Sequence, residues 1–317
     1  MHGWHCRPCT HISSHLGRSL PTNRLDRTKL SPKSRQDRST TDLQPLVVDQ
    51  STVGYLLPAF ASKLLGYKDV FQPHPASTGS HKDGVTLAKH LQTSEARTAA
   101  VAGVLQSLRS EGVITGWRDE LYPVTNTFDA DPAFLVERAA AVHFGIKAYG
   151  VHINGYVEGP NGLEMWIARR SKQKQTWPGK LDHIVAGGQP HGVNPMENVV
   201  KECGEEASIP ADLARQAVPV GGVTFQALYP NGLKRDVLFA FDLQLPADFI
   251  PEPQDGEVES FERMPIEKVA SLISDTEEIK ENCNIIILDF LIRHGLISPD
   301  QPGYLQLLAG LRAGDCS

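Results

Sequence analysis

The chain has 317 residues and a mass of 34.7 kDa, which at about 150 residues per domain points to two domains rather than one small core. Apolar residues at 40% and charged residues at 21% are an ordinary globular balance, which excludes wholesale disorder and fibrous repeats. The longest apolar run, Ile285 to Ile292 with Asp289 inside it, is far shorter than the ~20 residues a bilayer-crossing helix needs.

Charge is unevenly divided. Residues 1 to 40 carry eight Lys or Arg against Asp26 and Asp37, a net of +6, so the other 277 residues hold −12 of the overall −6. An acidic body lacks the cationic field that non-specific grip on nucleic acid or an anionic membrane requires. No nucleic acid and no membrane are expected as partners, and a phosphate-bearing substrate would need a local device against the repulsion.

The same 40 residues hold ten Ser or Thr, three Pro and no Glu, and residues 1 to 45 are read as a disordered basic tail. That composition is also how organelle transit peptides look. The localisation expectation is therefore mitochondrial or plastid if the tail is a targeting segment, and cytoplasmic otherwise. Cys6 and Cys9 form a CxxC beside His2, His5 and His11, but no second ligand pair follows at zinc-finger spacing. Five cysteines do not read as a disulfide framework.

Residues 46 to 146 read as a small α+β domain. Ser94 precedes a helix in which Val101, Val104, Leu105 and Leu108 share one face, with Gly112 as its left-handed stop. Ile114 to Tyr122 is expected as a strand. Asp131 and Pro132 resemble an N-cap and first turn leading into a helix over Phe134 to His143, on which Arg138 and His143 read as structural. After Gly145 the pattern changes to strands and glycine turns. Tyr149 to Val157 and Met165 to Arg170 form a hairpin around the Gly159 to Gly162 turn, and Val220 to Leu228 pairs with Asp236 to Leu245 across Pro230, Asn231 and Gly232. A short strand over Glu257 to Arg263 and helices over Ile266 to Ile273 and Asn284 to His294 complete a layered α/β/α domain over 147 to 295. Residues 296 to 317 are left as a C-terminal tail.

The segment from Asp182 to Pro210 carries the chemistry. A glycine turn runs into a helix with Asn194 as N-cap, Pro195 at the first position and Glu197 at the third. Met196, Val199, Val200, Cys203 and Ala207 take one face, and Glu202, Glu205 and Glu206 share a stripe outside it. Carboxylates at i, i+3 and i+4 repel one another unless a cation sits among them. Hard oxygen ligands beside a glycine turn suit Mg2+, with Mn2+ as its substitute. Without the upstream glycines, the stripe would read first as a solvated face.

With those glycines, the segment resembles the Nudix box, GX5EX7REUXEEXGU, where U is a bulky aliphatic residue. Gly187 takes the first position, Lys201 and Glu202 fall at RE, Cys203 at U, Glu205 and Glu206 at EE, and Ile209 at the last U. Val193 stands where the first Glu is expected, Lys201 replaces Arg and Ser208 replaces Gly. The metal-binding trio is untouched, but loop rigidity is put in question. The resemblance implies a Nudix α/β/α sandwich with a mixed sheet, preceded by the small α+β domain. It implies metal ligands Glu202, Glu205, Glu206 and a carbonyl near Ala186 or Gly187. The general base is left open among Glu202, Glu257 and Glu259.

Longer stretches are similar to a Nudix subgroup with an extra N-terminal domain, related to the Nudix part of thiamine pyrophosphokinase fusions. They are GWRDELYPV (116 to 124), ERAAAVHFGIKAYGVHINGYV (137 to 157), ARRSKQKQTWPGKLDHIVAGG (168 to 188), EEASIP (205 to 210) and NIIILDFLIRHG (284 to 295). That resemblance implies Mg2+-dependent hydrolysis of thiamine diphosphate or an oxidised analogue to the monophosphate. A nucleoside diphosphate derivative as substrate, a non-hydrolytic diphosphate sensor and an isoprenoid-diphosphate isomerase are the alternatives. Arg169, Arg170, Lys172, Lys174 and Lys180 are candidates to receive the small-molecule diphosphate, and Trp177 is either a stacking platform or a loop anchor. The sequence is silent on oligomeric state.

Overall fold

The computed structural model describes residues 42–75, 83–160, 162–174 and 176–314. The basic tail through residue 41 and its Cys6–Cys9 pair lie outside them. The first region is built on a four-stranded sheet of β1 (Gln44–Val48), β2 (Ser51–Leu56), β3 (Phe71–His74) and β4 (Gly84–Leu87), in the order β2-β1-β4-β3. Packed with it are α1 (Pro58–Leu64) and α2 (Ser94–Ser110). The α2 face is the expected one: Val101, Val104, Leu105 and Leu108 are buried. Thr93 rather than Ser94 caps it, accepting the Ala96 N–H at 3.2 Å, and Gly112 follows at φ +71°.

Two expectations fail here for identifiable reasons. The strand over Ile114 to Tyr122 is cut back to β5 (Leu121–Val124), because Gly116 and Asp119 take φ of +77° and +58°, which no strand tolerates. The helix over Phe134 to His143 is instead β6 (Phe134–Glu137), a 3-10 turn (Arg138–Ala140) and a single turn, α3 (Ala141–Phe144). The aliphatic Phe134-Leu135-Val136 run pairs with β5 in a two-stranded ribbon, a case of tertiary pairing overriding a local cap signal.

The second region is a seven-stranded mixed sheet. Its path is β11 (Val218–Tyr229), β12 (Gly232–Gln244), β7 (Lys147–Gly159), β8 (Gly162–Arg170) and β13 (Val258–Pro265), with β9 (Leu181–His183) on β8 and β10 (Val185–Gly188) on β7. β7 and β12 run parallel while the other pairs are antiparallel. One face is covered by α4 (Pro195–Ala207) and the short α5 (Ala211–Ala214), the other by α6 (Ile266–Asp275) and α7 (Glu281–Arg293). Alternation along β7 sends Val151 and Ile153 into the α4 core and leaves His152 to meet Cys283 of α7. This is the α/β/α sandwich expected from the strand pattern.

The segment beyond residue 296 is not a loose tail. It forms α8 (Tyr304–Gly310) and buries Leu311 in the α6–α7 core. The Leu311 carbonyl accepts the Thr224 N–H at 3.0 Å, and Arg312 pairs with Asp289 at 3.0 Å. The two regions also dock closely. Phe128 sets its ring 4.9 Å from both Tyr149 and Phe239, and the Leu121 carbonyl of β5 accepts the His191 N–H at 3.0 Å.

Candidate active site

The box helix α4 is held as its sequence suggests. Asn194 accepts the Glu197 N–H at 2.9 Å and Glu197 returns a bond to the Asn194 N–H, a full capping box. Val199, Cys203 and Ala207 are fully enclosed, which fixes the rotation of the helix and therefore the direction of its carboxylates. Burial pushes the Cys203 thiol up to about 12, so it packs as a small apolar group rather than acting as a nucleophile.

The loop before α4 is pinned although Val193 and Lys201 depart from the box. Asn198 donates to the Gly188 carbonyl at 2.8 Å and to Gln189 Oε1 at 3.2 Å, while Gln189 donates to the Val193 carbonyl. Lys201 bridges Glu202 at 3.3 Å and Glu205 at 2.8 Å. At the far end Ser208 occupies the left-handed cap at φ +54°, the position where the box has glycine. Its hydroxyl donates to the Glu252 carbonyl at 2.9 Å and accepts from Gln254 at 2.7 Å, offsetting the backbone strain. The doubt about loop rigidity is thus answered by Gln189 and Asn198, at positions the box leaves unspecified, and at the helix end by Ser208 in place of the box glycine.

The three box carboxylates do not share one environment. Glu205 points outward, 54% exposed and paired with Lys201. Glu202 lies across Gly187, where any Cβ would occupy the space of the Glu202 side chain. Glycine is required there for close approach rather than for an unusual φ. Glu206 turns inward to accept the Ala186 N–H of β10 at 3.0 Å. Opposite it stand Asp255 and Glu257 from the segment entering β13, and carboxylate oxygens of all three lie within 4.8 Å of one another.

Charge in this cluster is unbalanced. Burial first, then the nearby Glu202, Asp182 and Glu257 charges, hold Glu206 well above the usual carboxylate range. Glu202 is also raised, chiefly by burial. Glu257 is lowered despite its burial, because Lys174 pairs with it and Arg118 and Arg138 are close. Carboxylates crowded this way either keep a proton or take a cation, and an all-oxygen donor set beside a backbone turn fits a hard divalent ion. These residues therefore form an acidic group able to hold a divalent metal.

The expected phosphate receivers fare differently. Arg170 is committed to structure: it donates to Asp182 at 2.8 Å, to the Trp177 carbonyl at 3.2 Å and to the Thr176 carbonyl at 3.0 Å. A phosphate received by Arg170 would have to displace a buried carboxylate. Arg169 donates to the Gly179 carbonyl at 3.0 Å and Lys180 to that of Glu277. Trp177 carries Lys280 5.6 Å above its ring, the arrangement of a loop anchor. Lys174, from the same loop, is the cation that reaches the site. Asp255, Arg118, Arg138 and Tyr122 were missed as site residues. The sequence signals for them were the DGE spacing before β13, Arg118 and Tyr122 inside GWRDELYPV, and Arg138 at the start of the 137 to 157 segment.

A second cluster lies on the other face of the sheet. His152, Asp182, His183 and Cys283 are all buried with ligand atoms within 4.8 Å of one another. The two histidines meet Nδ1 to Nδ1 at 3.1 Å. Asp182 already accepts from Arg170 at 2.8 Å, Lys280 at 2.9 Å and the Cys283 thiol at 2.8 Å. Its negative charge is met twice over, leaving nothing for a metal ion to neutralise.

A helix-borne carboxylate stripe, an opposing acidic pair and a glycine close approach on an α/β/α sandwich match the Nudix box that the sequence resembles. Comparison with known proteins agrees. The profile described as NUDIX domain matches residues 149–283, and that described as a domain of unknown function (DUF4743) matches residues 26–148. Nudix hydrolase 24, chloroplastic, from Arabidopsis thaliana is 46% identical over 304 residues, covering 94% of this chain and 81% of that protein. Nudix hydrolase 20, chloroplastic, from the same plant is 47% identical over 291 residues, covering 91% and 78%. The solved MutT protein from Methanosarcina mazei Go1 is 22% identical over 47% of this chain and 96% of that one, with a TM-score of 0.35. The chain belongs to the Nudix hydrolase family, as a diphosphate hydrolase with the DUF4743 domain in front.

Proposed function

We propose that the protein is a Mg2+-dependent diphosphatase that cleaves thiamine diphosphate, or a ring-oxidised analogue, to the monophosphate. The observation that carries the chemistry is the convergence of the Glu206, Asp255 and Glu257 carboxylates beside Glu202 and Gly187. A divalent ion bound there supplies charge neutralisation of the phosphoryl oxygens and a lowered pKa for water. Glu202 and Glu206 would hold it, Asp255 faces Glu206 from the segment before β13, and Glu205 is directed outward with Lys201 as its partner. The Gly187 carbonyl remains the proposed backbone ligand.

Glu257 is the preferred general base. Its carboxyl lies below its ordinary range and is therefore ionised at neutral pH, able to take a proton from the water that attacks phosphorus as the anhydride P–O bond breaks. Glu259 is exposed on β13 and is not part of the carboxylate cluster. Lys174, Arg169 and Lys180 border the loop over the site, though the last two would have to leave the carbonyls they hold. Retention of all three box carboxylates favours hydrolysis over metal-free sensing, and the buried, protonated Cys203 argues against an isomerase.

Support for thiamine as the organic part is the similarity of the long segments over 116 to 188 and 284 to 295, not the site geometry. A plastid location belongs to the same proposal. Both Arabidopsis relatives are named chloroplastic, and residues 1 to 40 are basic, Ser-rich and free of Glu. Among the described residues no helix is long and apolar enough to cross a membrane. The test is catalytic efficiency across thiamine diphosphate, its oxidised analogues, an ADP-sugar and a dinucleoside polyphosphate at fixed Mg2+ and pH. Thiamine compounds should lead, and an ADP-sugar ahead by about tenfold, about 1.4 kcal/mol, would replace the substrate while keeping the reaction.

A further inference from the structure

The acidic body of this enzyme must receive an anion, yet of the loop residues expected to receive it Arg169, Arg170 and Lys180 hold backbone carbonyls, Trp177 carries Lys280 on its ring, and Lys174 pairs with Glu257. Cations approach instead from the other domain. The β5–β6 ribbon is fastened to the loop after β10 by the His191 N–H bond to the Leu121 carbonyl at 3.0 Å. Tyr122 of that ribbon sits so close over Gly188 that a Cβ there would overlap its hydroxyl and come within 3.1 Å of Arg138 Cζ. Arg138 is steadied by Glu120 at 2.8 Å and by the Tyr122 ring at 5.7 Å.

Arg118 comes to the same place by a second route. Its backbone N–H is held by the buried Glu137 carboxylate at 2.8 Å, and the same oxygen accepts the Ala139 N–H at 3.2 Å, so one side chain sets the positions of both arginines. The Arg118 guanidinium then lies 4.0 Å from Glu257. Side chains of Arg118 and Arg138 remain 33% and 39% accessible, open enough to take a ligand. The Arg138 charge is felt at both Glu202 and Glu257. The Arg138 guanidinium lies beside Gly188, next to the Gly187 that packs against Glu202.

We propose that Arg118 and Arg138 of the N-terminal domain receive the phosphates of the substrate across the domain boundary, completing the diphosphate site of the Nudix domain. This rests on the diphosphatase reading and extends it: the DUF4743 domain becomes a substrate-binding part of the enzyme. Guanidinium groups suit the task, since their planar donor forks match phosphate oxygens. Holding Glu257 in the free enzyme keeps Arg118 at the place where anionic charge arrives with the substrate.

The test uses the full chain with Arg118→Gln and Arg138→Gln, singly and together. Read out KM and kcat for thiamine diphosphate and, by calorimetry, the affinity for methylenediphosphonate with Mg2+ present. Each single change should raise KM and the methylenediphosphonate Kd by about tenfold and the pair by about a hundredfold, with kcat changed much less. Arg118→Lys should recover part of the loss, and the wild-type affinity should fall more steeply with KCl than that of the double variant. Unaltered KM and Kd in both single variants would overturn the proposal. If Arg138→Gln melts early, Arg118→Gln decides alone, because its side chain has only the long contact to Glu257 among the described residues. If wild type cleaves no diphosphate, the diphosphatase reading falls, and the methylenediphosphonate affinities still decide the role of the arginines.

Discussion

Two clusters of metal-ligand residues lie on opposite faces of one sheet, and only one has the marks of a reaction site. Under α7, Asp182 meets two cations and a thiol at 2.8 to 2.9 Å, and its neighbours His152, His183 and Cys283 are buried. Beside α4, Glu206, Asp255 and Glu257 crowd together with Glu206 held up by burial and by its neighbours. Residue type does not separate the two. Charge balance and access do: a cluster that neutralises itself stabilises one conformation, while one left short of positive charge is prepared for an ion and an anionic substrate.

The largest expected effect breaks the open cluster. Glu206→Gln should lower kcat by about a thousandfold, about 4 kcal/mol of barrier. The metal-free protein should melt no lower, because a neutral amide removes a poorly compensated charge. Rates at saturating Mg2+ and thermal melts of both proteins check the two signs together, and a variant that loses stability along with activity would contradict the stated charge imbalance.

Breaking the sealed cluster should do the reverse. Lys280→Met leaves a buried carboxylate short of one partner and should cost about 3 kcal/mol of folding stability. Its effect on KM for Mg2+ should be negligible, which denaturant melts and metal titration of the rate would show.

Acid should act next on that same cluster. Burial lowers His183 to about 4 from its ordinary 6.5 and pulls His152 down as well. The folded chain keeps both neutral while the unfolded chain protonates them, so the unfolded state binds more protons and stability falls as pH drops from about 6.5 towards 4. Between pH 7 and pH 5 His183 alone should contribute a loss of about 2 kcal/mol. A His183→Asn chain should show a shallower pH dependence in chemical melts, and an unchanged slope would place the proton elsewhere.

The smallest effect is at the helix end. Ser208→Gly removes left-handed strain but loses the bonds to Glu252 and Gln254, so the two should nearly cancel, within about 1 kcal/mol. Activity should stay close to wild type.

What the sequence made legible follows from the range of the signals. The capping box at Asn194 and Glu197, the buried stripe of α4 and the two long hairpins are written in local spacing, and the structure has them. Local spacing misled where pairing partners were distant: the run from Phe134 reads as helical after Asp131 and Pro132, yet its edge is taken by β5. The site was half legible for the same reason. Glu202 and Glu206 share a helix and could be placed together, whereas Asp255, Lys174 and Arg138 reach them from a different strand, loop and domain. Arg170 and Trp177 lie close to the box in sequence but are held to their own loop.

The account turns on which of the two clusters takes the ion, and Mn2+ binding followed by electron paramagnetic resonance tests that most directly. One titration each is needed for wild type, Glu206→Gln and His183→Asn. The expected result is Mn2+ binding to wild type and to His183→Asn with matching affinity, weakened by about tenfold or more in Glu206→Gln. Binding that survives Glu206→Gln intact and disappears with His183→Asn would put the metal under α7 and contradict the assignment of the site.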